Sequence, residues 1–202
     1  MKRVDEYLEN QVNKFNKLFG ANLSIPEVVI FNSRSEINRH KNQETEGWFV
    51  GWNEDGIIYI LNESKFETES SHPKSDFEKV LTHELLHQYY FQMAGWDKPA
   101  WLNEGFCLYF AGQEKQSPSE EEKLLLENYA NHWDSKGYKI AYFWTVYLIQ
   151  NFSVETMVDV IKQVGLLEKD PAVFESKFNE LFYSYFKFYP IKDSLILKLK
   201  VI

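Results

Sequence analysis

The sequence predicts an α+β fold: a small strand-containing N-terminal part, residues 1–74, joined to a mainly α-helical part, residues 75–202, in a single domain. Three observations predict it. Apolar residues recur at helical spacing near the start and again in successive segments from Ser75 onward. Between them lie short apolar runs, rich in β-branched and aromatic residues, with turn chemistry between two of them. Finally, 202 residues with 44% hydrophobic and 26% charged side chains are enough to bury a sizeable core, and the values are globular.

The first helix is expected over residues 4–19, with Val4, Leu8, Val12, Phe15, Leu18 and Phe19 as its apolar positions and Gly20 closing it. Pro26 opens a buried strand at residues 28–31. Residues 33–43 are polar, a loop or short helix. Two further strands are expected at 48–52 and 57–61, joined into a hairpin by Asn53-Glu54-Asp55-Gly56. Residues 63–73 are polar and loop-like. Ser75 and Glu78 have the spacing of a capping box, opening a helix that runs to Ala94 and stops at Gly95. Another helix follows Pro99 and runs to about Gly112. A fourth starts near Ser117-Pro118, where Glu120, Glu121 and Glu122 suit a helix N-terminus. Helices at 138–151, at 154–164 and from Asp170-Pro171 follow. The last carries Phe174, Phe178, Phe182 and Phe186 at i, i+4 spacing, a core stripe. Residues 195–202 alternate as a terminal strand.

Composition excludes several function classes. The net charge of −8 repels nucleic acid and anionic lipid, so neither is an expected partner. No apolar run approaches the ~18–20 residues that span a bilayer, so no membrane span is expected. Lys2-Arg3 is followed by no apolar stretch, so no secretory signal is read and a cytoplasmic location is expected. A single cysteine, Cys107, excludes an internal disulfide and a cysteine-based zinc knuckle. It reads as a packing residue.

The chemistry lies in Leu81-Thr82-His83-Glu84-Leu85-Leu86-His87, an H-E-x-x-H motif inside a predicted helix. One turn apart, His83 and His87 project from one face and can share a metal ion, which zinc readily accepts from imidazole nitrogens. Glu84 stands beside them as a general base for a water on that metal. Leu81, Leu85 and Leu86 anchor the helix in the core. Downstream, Trp101-Leu102-Asn103-Glu104-Gly105-Phe106 reads as a buried segment carrying one carboxylate. Glu104, on the next helix, is the candidate third ligand, and Asn103 a candidate for orienting the ligand shell. His40 reads as solvated, and His72 lies in a loop. His132, ahead of Tyr138, is a candidate second transition-state donor.

H-E-L-L-H followed by W-L-N-E-G-F resembles the gluzincin metallopeptidases, in particular the aminopeptidase N-like family and the small bacterial peptidase MA-like domains. The likeness covers about residues 80–165. It implies a zincin-like helical part holding one Zn2+ per chain through His83, His87 and Glu104, with Glu84 as general base. It further implies an oxyanion donor from a later helix. The register of Tyr138-Lys139-Ile140-Ala141 running on to Tyr147-Leu148 assigns that role to Tyr138, with Tyr142 second. The family's G-x-M-E-N exopeptidase segment has no counterpart here, which leaves endopeptidase action open. The implied substrate is a peptide or protein segment in extended form, lying along an edge strand that the 48–61 hairpin can supply. The rivals are a peptide-binding module that keeps the fold without hydrolysis, and a regulatory protease with one protein target.

Overall fold

Helix α1 (Lys2–Phe19) forms where the apolar spacing predicts and buries Leu8, Val12, Phe15 and Phe19. Gly20 follows in the left-handed region at φ +61, as a helix stop requires. The computed structural model describes residues 2–117, 119 and 135–187. The helix expected after Ser117-Pro118 with Glu120 to Glu122, His132, and the terminal strand expected at 195–202 lie outside these. Two compact units make up the chain, one of Met1–Tyr89 with Phe110–Gln113, the other of Tyr90–Tyr109 with Glu114–Ile202.

In the first unit, β1 (Val28–Phe31), β2 (Gly51–Glu54) and β3 (Ile57–Leu61) form one sheet in the order β1-β3-β2. β1 runs parallel to β3, pairing Val28 with Ile58, and β2 runs antiparallel to it, pairing Gly51 with Ile60. The central strand supplies Ile58, Ile60 and Leu61 to the core, each fully buried. The hairpin forms with its second strand where expected, but its first strand starts three residues later than the sequence suggests and ends two later. Asp55 and Gly56 both adopt positive φ, 52 and 78, so they alone make the turn and Glu54 pairs with Ile57. Asn53 and Glu54, expected in the turn, belong to the strand. Trp48 and Phe49, expected in the strand, lie outside it: the Trp48 carbonyl meets His72 Nε2 at 3.0 Å and the Phe49 carbonyl accepts a hydrogen bond from Arg34 Nη1.

Residues 34–41 take the short-helix option as α2 (Arg34–Lys41), with the Ser33 hydroxyl accepting from the Glu36 amide. The 63–73 stretch is not all loop. A 3-10 turn (Glu63–Lys65) leads into α3 (Phe66–Glu69), which drives the Phe66 ring fully into the core. The capping box is likewise absent. Residues Lys74–Asp76 tighten into a 3-10 turn, so Ser75 is not at a helix N-cap. Glu78 accepts from Arg3 Nη2 at 2.9 Å. Helix α4 (Phe77–Ala94) then runs to the predicted stop at Gly95, φ +61. Phe15, Phe19 and Tyr89 form an edge-to-face cluster, with centroids 5.5–5.9 Å apart between each Phe ring and Tyr89. The Tyr89 hydroxyl donates to the Val12 carbonyl at 3.1 Å, and burial pushes its pKa up to about 12.

The second unit contains α5 (Ala100–Phe110) as far as Tyr109, α6 (Ser135–Phe152), α7 (Val154–Val164) and α8 (Pro171–Phe186). Asp170 caps α8 by accepting from the Ala172 amide, with Pro171 at its first position. The stripe of Phe174, Phe178, Phe182 and Phe186 is buried throughout, as expected of a core face. Trp96 meets Phe174, Trp101 meets Phe178 and Phe182, and Phe152 meets Phe186. Each buried aromatic contributes about 1.5–3 kcal/mol. At Gly105, a Cβ would lie 2.1 Å from Thr145 Oγ1 and 2.4 Å from the Ala141 carbonyl oxygen, so α5 and α6 touch backbone to backbone there. Among the described residues, no helix is long and apolar enough to cross a membrane.

Candidate metal centre

Helix α4 carries the H-E-x-x-H motif, and its middle is buried. Leu81, Leu85, Leu86, Tyr89 and Tyr90 are all inaccessible, and Val80 nearly so. Every residue from Val80 to Leu86 is buried, so the polar residues among them are held in a water-poor setting. His83 and Glu84 are each 7% exposed, and His87 is half-buried. Few polar side chains are buried to that degree, and a structural reason for each is needed.

The helical pitch brings the two imidazoles together. The rings of His83 and His87 have centroids 4.8 Å apart and planes at 80°. Their spacing follows from i, i+4 geometry alone.

Glu84 faces the edge of the sheet. A Cβ at Gly51 would stand 3.1 Å from Val80 Cγ1 and 3.4 Å from Glu84 Cγ, so β2 lies against α4 at this residue. Asn53 Nδ2 donates to the Glu84 carbonyl oxygen at 3.4 Å. The amide of Leu61 donates to the Val50 carbonyl at 2.8 Å, which fixes the alternation of the antiparallel ladder. By that alternation, Trp52 and Glu54 bond to β3, and the backbone groups of Gly51 and Asn53 point away from it. The outer edge of the sheet therefore presents main-chain donors and acceptors beside Glu84.

Glu104 lies on α5 and is half-buried among buried Trp101, Leu102, Asn103, Gly105 and Phe106. The expectation of a buried segment holds. Asn103 Nδ2 donates to the Asp97 carbonyl at 3.4 Å, and its Oδ1 accepts from Cys107 Sγ at 3.6 Å. Cys107 is fully buried. Tyr138 and Tyr142 stand one turn apart on α6, both half-buried. Burial first, then Glu114 and Tyr109, push the Tyr142 phenol up, which keeps its proton in place as a donor at neutral pH.

The remaining histidines serve other contacts. His40 is exposed and packs 5.1–5.5 Å from the rings of Phe31, Trp52 and Tyr59 on the sheet. His72 Nε2 lies 3.0 Å from the Trp48 carbonyl oxygen, and its Nδ1 lies 3.6 Å from Asp76 Oδ2.

Sequence reasoning did not single out Gly51, Asn53 or Arg34. Gly51 carried a usable signal, since an isolated glycine within a strand run marks a bulge or a close backbone approach. Asn53 and Arg34 carried none, because their roles depend on partners 31 and up to 35 positions away. Neither a protein-family model, nor a curated protein, nor a solved structure matches this chain.

Proposed function

We propose that this chain is a zinc-dependent peptidase of the gluzincin type. His83 and His87 hold the metal, with Glu104 as the third ligand the motif resemblance assigns. The observation that carries the reading is the buried face of α4. Two imidazoles stand 4.8 Å apart with a buried carboxylate next to them, and that carboxylate lies against a sheet edge. Imidazole pairs of this kind are a donor set that zinc accepts.

Bound there, zinc supplies Lewis acidity, lowering the pKa of a water and polarising a carbonyl oxygen. The chain's own residues do the rest. Glu84 accepts the proton of the attacking water and hands it to the departing amine. Burial at 7% exposure keeps bulk water from competing for that proton. The Gly51 and Asn53 edge of β2 takes an extended peptide by main-chain pairing, which sets the scissile bond along α4. A phenol on α6, Tyr138 first and Tyr142 second, donates to the oxyanion.

Metal content tests the reading directly. The zinc-loaded chain, freed of excess metal, is expected to retain about one zinc, and the His83→Ala/His87→Ala double variant close to none. A metal-free parent, or a double variant that retains zinc, sinks the proposal. The phenol assignment has its own test. Tyr138→Phe is expected to lower kcat about 10²–10³-fold with KM little changed, while Tyr142→Phe costs about tenfold or less. Reversed magnitudes would move the role to Tyr142.

A further inference from the structure

We propose that Arg34 is a positioning residue for the substrate, fixing the segment from which the β2 edge starts; the inference rests on the peptidase reading above. The guanidinium has five N–H donors, and internal acceptors use all of them. Nε donates to the Glu69 carbonyl at 3.2 Å and Nη2 to the same oxygen at 2.9 Å. Nη2 also reaches the Gly47 carbonyl at 3.2 Å. Nη1 donates to Thr45 Oγ1 at 3.1 Å and to the Phe49 carbonyl. The Arg34 amide adds a 2.6 Å bond to Glu69 Oε2.

A cation spent on four main-chain bonds to three carbonyls and a hydroxyl is not an ion-pair partner in the usual sense. It ties residues 45–49 to α2 and to the end of α3. Further bonds hold the strap: the Ser71 amide donates to the Gly47 carbonyl at 3.0 Å, His72 meets the Trp48 carbonyl at 3.0 Å, the Thr45 amide and hydroxyl donate to Asn38 Oδ1 at 3.0 and 2.7 Å, and the Phe49 amide donates to the Glu46 carbonyl at 3.0 Å. The segment lies outside helix and strand, so these ties set where its backbone runs, and Arg34 alone reaches three of its residues, Thr45, Gly47 and Phe49. Two residues beyond Phe49, the chain reaches Gly51 against Glu84. Loss of Arg34 therefore frees the start of the edge strand while leaving α4 and its motif in place. A substrate long enough to pair along that edge loses affinity, and a short one does not. Trp48, on the strapped segment, is 52% exposed.

The test compares zinc-loaded parent, Arg34→Gln and Arg34→Lys chains on an internally quenched decapeptide that the parent cleaves and on a tetrapeptide cut from its centre. For Arg34→Gln, decapeptide KM is expected to rise about tenfold with kcat within about twofold, while tetrapeptide kinetics stay within about twofold. Lysine offers three donors from a point charge, so Arg34→Lys is expected to recover only part of the loss, to about a threefold rise. Amide hydrogen exchange of residues 45–53 is expected to quicken about tenfold or more in Arg34→Gln, with α4 unchanged. An unchanged decapeptide KM in an active variant overturns the role. So does a loss of kcat shared by both peptides together with faster exchange across the whole unit, the mark of general destabilisation. A parent that cleaves no peptide removes the peptidase reading, and this role with it.

Discussion

Glu84→Gln is expected to slow peptide hydrolysis about 10²–10⁴-fold while zinc content stays at the parental level. The substitution is isosteric and keeps the side chain's fit beside Gly51, where only 3.4 Å separates a Gly51 Cβ position from Glu84 Cγ. It removes the one property the mechanism asks of the residue, the capacity to accept a proton. Paired measurements of metal content and of kcat on an internally quenched peptide check it. Full activity in the variant would end the general-base assignment. A loss of zinc along with activity would mean that Glu84 supports the metal rather than the proton transfer. Because Glu84 is nearly inaccessible, the test is cleaner here than at a surface site: bulk water has little access with which to replace the missing base.

Gly105→Ala is expected to be the most destabilising small substitution in the second unit. The added methyl would lie 2.4 Å from the Ala141 carbonyl oxygen and 2.9 Å from its carbon, and backbone atoms cannot swing aside as side chains do. α5 and α6 must separate, which costs about 3 kcal/mol, at the upper end of overpacking. For a chain of this size that lowers Tm by about 6–12 °C. Thermal unfolding followed by circular dichroism measures it. Adding Thr145→Ala removes the 2.1 Å contact with Oγ1 but not those with the Ala141 backbone, so only part of the loss should return. A change of less than about 1 °C would show that the two helices do not meet at this glycine. The neighbouring Glu104 makes the variant informative for function too, since any shift of α5 carries the carboxylate with it.

Much of the fold is legible in the sequence because local chemistry decides it. The α1 stripe, the strands at Val28–Phe31 and Ile57–Leu61, α7 and the phenylalanine face of α8 lie where periodicity and capping residues put them. The errors occur where tertiary contacts outweigh local signals. Trp48 and Phe49 have high strand propensity, yet distant side chains take their carbonyls, His72 that of Trp48 and Arg34 that of Phe49. Ser75 and Glu78 have capping spacing, yet the 3-10 turn displaces the serine and Arg3 takes the glutamate. Phe66 lies in a polar stretch whose composition suggests a loop, and burial of that single ring organises a helix around it.

The same division runs through the candidate site. By itself the sequence determined that His83, Glu84 and His87 share a helix and that the two histidines share a face, because a 3.6-residue period admits no other arrangement. It also determined that Leu81, Leu85 and Leu86 anchor that helix, since a hydrophobic flank has to be buried. Only the tertiary structure decided that Glu84 lies in a nearly dry setting, that Gly51 brings the sheet edge against it, and that Arg34 holds the approach to that edge. Those facts depend on segments 13 to 35 positions apart in the chain. No local pattern encodes which carbonyl a distant guanidinium will meet, or which backbone will come within reach of a missing side chain.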